Sequence, residues 1–184
     1  MRRLMTIVTA AAVTCVLAAA LSAQQGQQTG VGSGGSPHWK ADWTVHGAKI
    51  VVEYGRPYLK GRPEAQMMPP GKPWRTGADE ATIITSDKPL KFGPVTLAAG
   101  TTYTINTQPG DQIWQLIIGK LDKPGQWGIP YQPALELGRA LMTTGKTKAP
   151  VEQVTISIDA TPTGGGTLRV EWGTTSASTA FTIG

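Results

Sequence analysis

The chain has 184 residues, 40% of them hydrophobic and 16% charged, with a net charge of +5. That length is a soft prior for one domain. Low charge with 23 glycines and 14 prolines argues against a coiled coil and suits many short strands joined by turns. An all-β domain is the first expectation.

Arg2 and Arg3 precede an uncharged apolar run from Leu4 to Leu21, which Ser22, Ala23 and the polar pair Gln24-Gln25 follow. This pattern predicts a secretory signal peptide over residues 1–23. The run is close to the minimum length for a membrane span, but its many Ala and Thr residues make it weakly apolar for an anchor. Cys15, the only cysteine, sits within the run behind Thr14, where a lipid-attachment site wants a small residue, so lipidation is disfavoured. Cleavage after Ala23, to within a residue, leaves 161 residues, a net charge of +3 and no thiol. A periplasmic or secreted protein of that size can fold without disulfides. Its charge lacks the basic runs that nucleic-acid binding requires.

Residues 24–37 are Gln, Gly, Ser and Thr around a single Val31 and end on Pro37, which predicts a flexible leader. Gly32-Ser33-Gly34 has Val31 where a nucleophile elbow needs its first glycine, and it lacks the flanking strand and helix of that motif. From residue 38 onward apolar residues alternate with period two, as half-buried strands do. Ile50, Val52 and Tyr54 share one face of a first strand, and Tyr103 with Ile105 mark another. Residues 113–118 are apolar on both faces apart from Gln115, as in a central strand. Leu135, Leu137 and Leu141 alternate again, although 135–144 also fits a short helix. Val154, Ile156 and Ile158 face one way, Thr163-Gly164-Gly165-Gly166 reads as a hairpin loop, and Leu168, Val170 and Trp172 return. Phe181 and Ile183 close the chain, and weaker candidates lie at 82–85 and 95–97. Eight to ten short strands predict a single-domain β-sandwich or barrel-like fold over residues 38–184.

The least strand-like part is residues 55–81, rich in proline and dense in charge. Arg56, Lys60, Arg62, Lys72 and Arg75 face Glu64, Asp79 and Glu80 there. A charged, loop-rich segment is the natural place for a site. It also carries a resemblance. Tyr54-Gly55-Arg56-Pro57, Leu59-Lys60-Gly61-Arg62 and the run from Pro70 through Trp74-Arg75-Thr76-Gly77-Ala78-Asp79-Glu80-Ala81-Thr82 are similar to the motifs of the bacterial family known as domain of unknown function 2911. Leu97-Ala98-Ala99-Gly100-Thr101-Thr102-Tyr103 and Trp127-Gly128 extend the likeness over most of the chain. The resemblance implies an exported, single-domain, mainly β protein, and it implies no reaction and no catalytic residues. Residues 63–68 depart from the family pattern, and Asp79 stands where Asn is also common, which weakens Asp79 as an obligate base.

Arg56, Arg62 and Arg75 offer planar forks suited to carboxylates or phosphates. In one reading they tie loops to strand ends, with Trp74 at the core edge and Arg75 paired with a carboxylate such as Glu80. In the other, Arg56, Lys60, Arg62 and Arg75 line a pocket for a small anionic ligand, with Trp74 as its apolar wall and Asp79 and Glu80 nearby. The first is favoured because packing is tight beside the strand that starts near Thr82. Hydrolysis by Asp79 and Glu80 as acid and base is disfavoured, since neighbours on a strand point to opposite faces.

Other chemistries lack their residues. His38 and His46 are the only histidines, each read as a surface strand residue, so no transition-metal centre or Ser-His-Asp triad is expected. Gly164-Gly165-Gly166 lacks the Lys-Ser/Thr of a phosphate loop, and Asp111, Asp122 and Asp159 lack a calcium loop's spacing. Trp127, in a turn-rich stretch, is the candidate exposed platform for a glycan, whereas Trp114 and Trp172 are read as core. The expectation is a cofactor-free structural or anion-binding module rather than an enzyme.

Overall fold

The computed structural model describes residues 25–123 and 131–184. The predicted signal peptide with Cys15, and Trp127, lie outside the described residues. Among these described residues ten strands follow in chain order: β1 (Gln25–Val31), β2 (Pro37–Val45), β3 (Ala48–Gly55), β4 (Ile83–Ser86), β5 (Leu90–Phe92), β6 (Val95–Leu97), β7 (Thr102–Gln108), β8 (Ile113–Lys120), β9 (Glu136–Ala160) and β10 (Gly166–Ile183). A single helical turn, α1 (Glu64–Met67), and a 3-10 turn at Pro133–Leu135 complete them. The protein is all-β, as its composition and alternation predict.

The strands form one antiparallel sheet in the order β1-β2-β3-β4-β7-β8-β9-β10-β5-β6. The sheet is not closed, yet it curls until distant strands meet. β3 and β9 are four places apart in the order, but the Ile156 amide donates to the Tyr54 hydroxyl at 3.1 Å. The chain leaving β3 then runs beside the far part of β9, with a bridge between Tyr58 and Gln153 and the Leu59 amide donating to the Glu152 carbonyl at 2.7 Å. Inside the curl lies one core: Trp43, Ile50, Val52, Ile84, Ile105, Leu116, Met142, Ile156, Leu168 and Trp172 are all essentially inaccessible to solvent.

Several local expectations change. Residues 25–31, expected to be part of a flexible leader, form an edge strand registered on β2, from Gln25 opposite Asp42 to Val31 opposite Pro37. Backbone pairing, which needs no apolar side chains, orders a segment whose composition alone gives no reason for order. β2 and β3 join through His46 and Gly47, at φ of +45° and +75°, the two left-handed positions that a tight two-residue hairpin requires. Leu137 and Leu141 alternate as expected but point outward, at 42% and 68% exposure, while Ala140 and Met142 face the core. Ile117 is buried on the outer face of β8, beneath Arg75, Ala81, Thr104 and Leu135, which border a cavity of about 40 Å³.

Nor are all the strands short. β9 and β10 have 25 and 18 residues, and they absorb a mismatch in mid-course, where Gly173 opposes Val151 and Thr175 opposes Lys146. Bulged residues on β9 and Gly173 at φ +60° accommodate the offset. Glu64 of α1 pins this place from outside. Its carboxylate accepts from the Thr174 amide at 2.7 Å and from the hydroxyls of Thr174 and Thr175. Partial burial pushes this carboxyl up, but those hydrogen bonds outweigh it and hold it below the ordinary glutamate range.

A basic cleft as candidate functional site

Two glycines bring the charged segment onto the sheet. A Cβ on Gly55 would lie 2.1 Å from the Ala78 carbonyl oxygen, and one on Gly77 would lie 2.9 Å from the Gly55 carbonyl oxygen. Neither glycine needs a left-handed backbone; each is there because two main chains touch. The chain then turns through Thr76 at φ +57° and Asp79 at φ +64°, a conformation that costs a β-branched residue about 1–3 kcal/mol. Thr76 is buried and held there, its hydroxyl donating to that of Thr107 at 3.1 Å and its carbonyl accepting from the Thr82 hydroxyl at 3.2 Å. Lys60, at φ +50°, is a third left-handed non-glycine residue in the same region.

These turns surround a cleft of about 600 Å³. Lys60 and Arg62 come from the loop after β3, Met67 from α1, Trp74, Arg75 and Asp79 from the loop before β4, and Gly34 to Ser36 from the turn between β1 and β2. Trp74 is locked by a pair of backbone hydrogen bonds to Thr107, at 2.7 and 2.8 Å. Its ring stacks on Trp172 with centroids 5.7 Å apart and planes at 10°.

The cations here are not paired as expected. Arg75 donates to the Asp79 carbonyl at 3.0 Å rather than to the Glu80 carboxylate, and Arg62 donates to the carbonyls of Leu59 and Tyr58. Among the described residues, Lys60, Arg62 and Arg75 enter no ion pair. Arg56 does not line the cleft. It ties the end of β3 to β9, donating to the Val154 carbonyl at 2.9 Å and the Thr155 hydroxyl at 3.0 Å, with its guanidinium 4.8 Å from the Trp39 ring centroid.

Asp79 is the acid of the cleft wall, and it is engaged. Its Oδ1 accepts from the Gly34 amide at 3.3 Å, and its Oδ2 lies 3.8 Å from His38 Nε2. Glu80 approaches the other ring nitrogen of the same histidine at 3.9 Å and faces a separate cavity of about 200 Å³ with Trp39, Glu53 and Tyr54. Asp79, at φ +64°, lines the cleft while Glu80 faces the second cavity, so the two carboxylates share only the His38 ring between them. His38 is the residue that sequence reasoning passed over: its side chain is only 16% exposed. The contact spans 41 residues of chain, and no local pattern announces it. His46 is exposed, its Nε2 2.7 Å from the Thr161 carbonyl. No group of three His, Cys, Asp or Glu side chains among the described residues is placed to hold a metal ion.

Of the seven residues singled out from sequence, the fold therefore brings Lys60, Arg62, Trp74, Arg75 and Asp79 to one cleft and sends Arg56 and Glu80 elsewhere. Comparison with curated proteins and with solved structures finds no match. The family profile described as protein of unknown function DUF2911 matches residues 36–181, the whole of the sheet from β2 almost to the end of β10. The motifs that build the cleft fall within that span, and the chain belongs to the DUF2911 family.

Proposed function

We propose that this is an exported, non-catalytic module that binds a small anionic ligand in the basic cleft. One observation carries the reading: three cations, Lys60, Arg62 and Arg75, line a cleft of about 600 Å³ without an ion-pair partner among the described residues. Each guanidinium is steadied through backbone carbonyls rather than a carboxylate, which leaves part of its fork open to a carboxylate or phosphate. Asp79 opposes this least where it is already bound by the Gly34 amide. The left-handed Lys60, Thr76 and Asp79 support the same place, since backbone strain concentrates at ligand sites.

Export rests on the charged start, the apolar run and Ser22-Ala23, and an intact mass beginning at or next to Gln24 in the native protein checks it; retention of Met1 would overturn it.

For the anion site, Arg75→Ala should cost about 1 kcal/mol or less of stability, as for a partly exposed charge. Phosphate, sulfate or small carboxylates at fixed ionic strength should raise the melting temperature of the wild type but not of the variant. An anion present at 100 times its Kd stabilises by about 2.7 kcal/mol, well above the cost of the substitution. Wild-type protein indifferent to every anion, or Arg75→Ala collapsing while anions have no effect on either form, would return these arginines to a purely structural role.

A further inference from the structure

We infer that the anion this cleft takes is organic and aromatic: a flat ring that lies against the Tyr58 and Trp74 wall while its carboxylate or phosphate meets Arg62 and Arg75. The inference rests on the anion-binding reading above and narrows its ligand. The first reason is size. At about 600 Å³ the cleft falls in the range of roughly 300–1,000 Å³ that serves small organic molecules, far more than a tetrahedral oxyanion fills.

The second reason is what the wall is made of. Tyr58 is 38% exposed and lines the cleft together with Trp74 and Met67, so apolar and aromatic surface stands within the same concavity as the guanidinium groups. Bare oxyanion sites have no use for such surface, because an inorganic anion gains nothing from an apolar neighbour and loses hydration against it. The plate is also rigid before anything binds. Trp74 is hydrogen-bonded to Thr107 on both sides of its backbone and stacked on Trp172, which is itself 1% exposed and fixed by its indole N–H donating to the Glu152 carbonyl at 3.1 Å. A pre-formed aromatic surface binds a flat ring without an ordering cost, and offset ring stacking adds a preference over saturated rings. Lys60 already uses this wall, its ammonium lying 5.7 Å from the Tyr58 ring centroid, so the electron-rich face of Tyr58 is turned to the cationic side.

The test measures binding of five probes to the purified protein by calorimetry at fixed ionic strength: benzoate, phenyl phosphate, cyclohexanecarboxylate, benzamide and inorganic phosphate. Benzoate or phenyl phosphate should bind at least ten-fold tighter than inorganic phosphate and at least three-fold tighter than cyclohexanecarboxylate, with benzamide at least ten-fold weaker than the better aromatic anion. Tyr58→Leu, a change at an exposed position, should remove the preference for the aromatic over the saturated ring. Arg62→Gln should weaken every anion about ten-fold. Inorganic phosphate binding as well as the aromatic anions would overturn the inference and leave the anion site standing. Benzamide binding as well as benzoate, or no probe binding at all, would overturn both.

Discussion

Trp172→Ala should lower the unfolding free energy by about 3–5 kcal/mol, the usual cost of deleting a buried tryptophan side chain. The indole is 1% exposed and forms the floor under Trp74. Little of the loss should come from its hydrogen bond. The Glu152 carbonyl that accepts from the indole N–H also accepts from the Leu59 amide at 2.7 Å, so no buried acceptor is stranded. The cost is packing, and it should appear as a fall of about 6–20 °C in Tm, using roughly 2–4 °C per kcal/mol for a chain of this size. A denaturant melt measures it directly. Trp172→Phe should recover part of the loss by refilling the cavity. A loss below about 1 kcal/mol would overturn the reading of Trp172 as a tightly packed core residue.

Gly55→Ala should cost about 2–3 kcal/mol, and in a different way. The added methyl group would sit 2.1 Å from the Ala78 carbonyl oxygen and 2.8 Å from its carbonyl carbon. Both obstacles are backbone, which cannot swing aside as a side chain can, so the loop from Gly77 to Asp79 must retreat. That retreat also moves Asp79 and Arg75. The substitution should therefore weaken any anion-dependent rise in Tm along with stability itself. Gly145→Ala makes the control: Gly145 is exposed, has an ordinary φ and has nothing within 4 Å of the place its methyl group would take, and the change should be neutral within about 0.5 kcal/mol or mildly stabilising. Equal melting of Gly55→Ala and Gly145→Ala would show that the seam between β3 and the loop before β4 is slack.

The sequence makes the strands legible where one face is buried. Ile50, Val52 and Tyr54, then Val154, Ile156 and Ile158, then Leu168, Val170 and Trp172 all face the core as their alternation predicts, because a period of two is dictated by the pleat. Alternation cannot say which face is inward. Leu137 and Leu141 obey the period yet point to solvent, while the neighbouring Ala140 and Met142 are buried. Nor does it say where a strand ends: β9 runs on through Pro150 and β10 through Gly173, with a register shift between them.

Composition, period-two patterning and the placement of Gly and Pro were enough to predict an all-β chain of eight to ten strands, while the family likeness rested on particular motifs such as Trp74-Arg75-Thr76-Gly77. They also marked residues 55–81 as the charged, irregular segment. Which of its charges act together was decided only in three dimensions. Arg56 and Arg75 have the same side chain and flank the same segment, but one is consumed by carbonyl and hydroxyl oxygens nearly a hundred residues away on β9, while the other opens onto the cleft. The physical reason is that a strand's side-chain direction follows from its local period, whereas a loop's follows from contacts its own sequence does not contain. The touching backbones of Gly55 and Gly77, the left-handed turns at Thr76 and Asp79, and the curl that brings β3 to β9 set the direction of each cation.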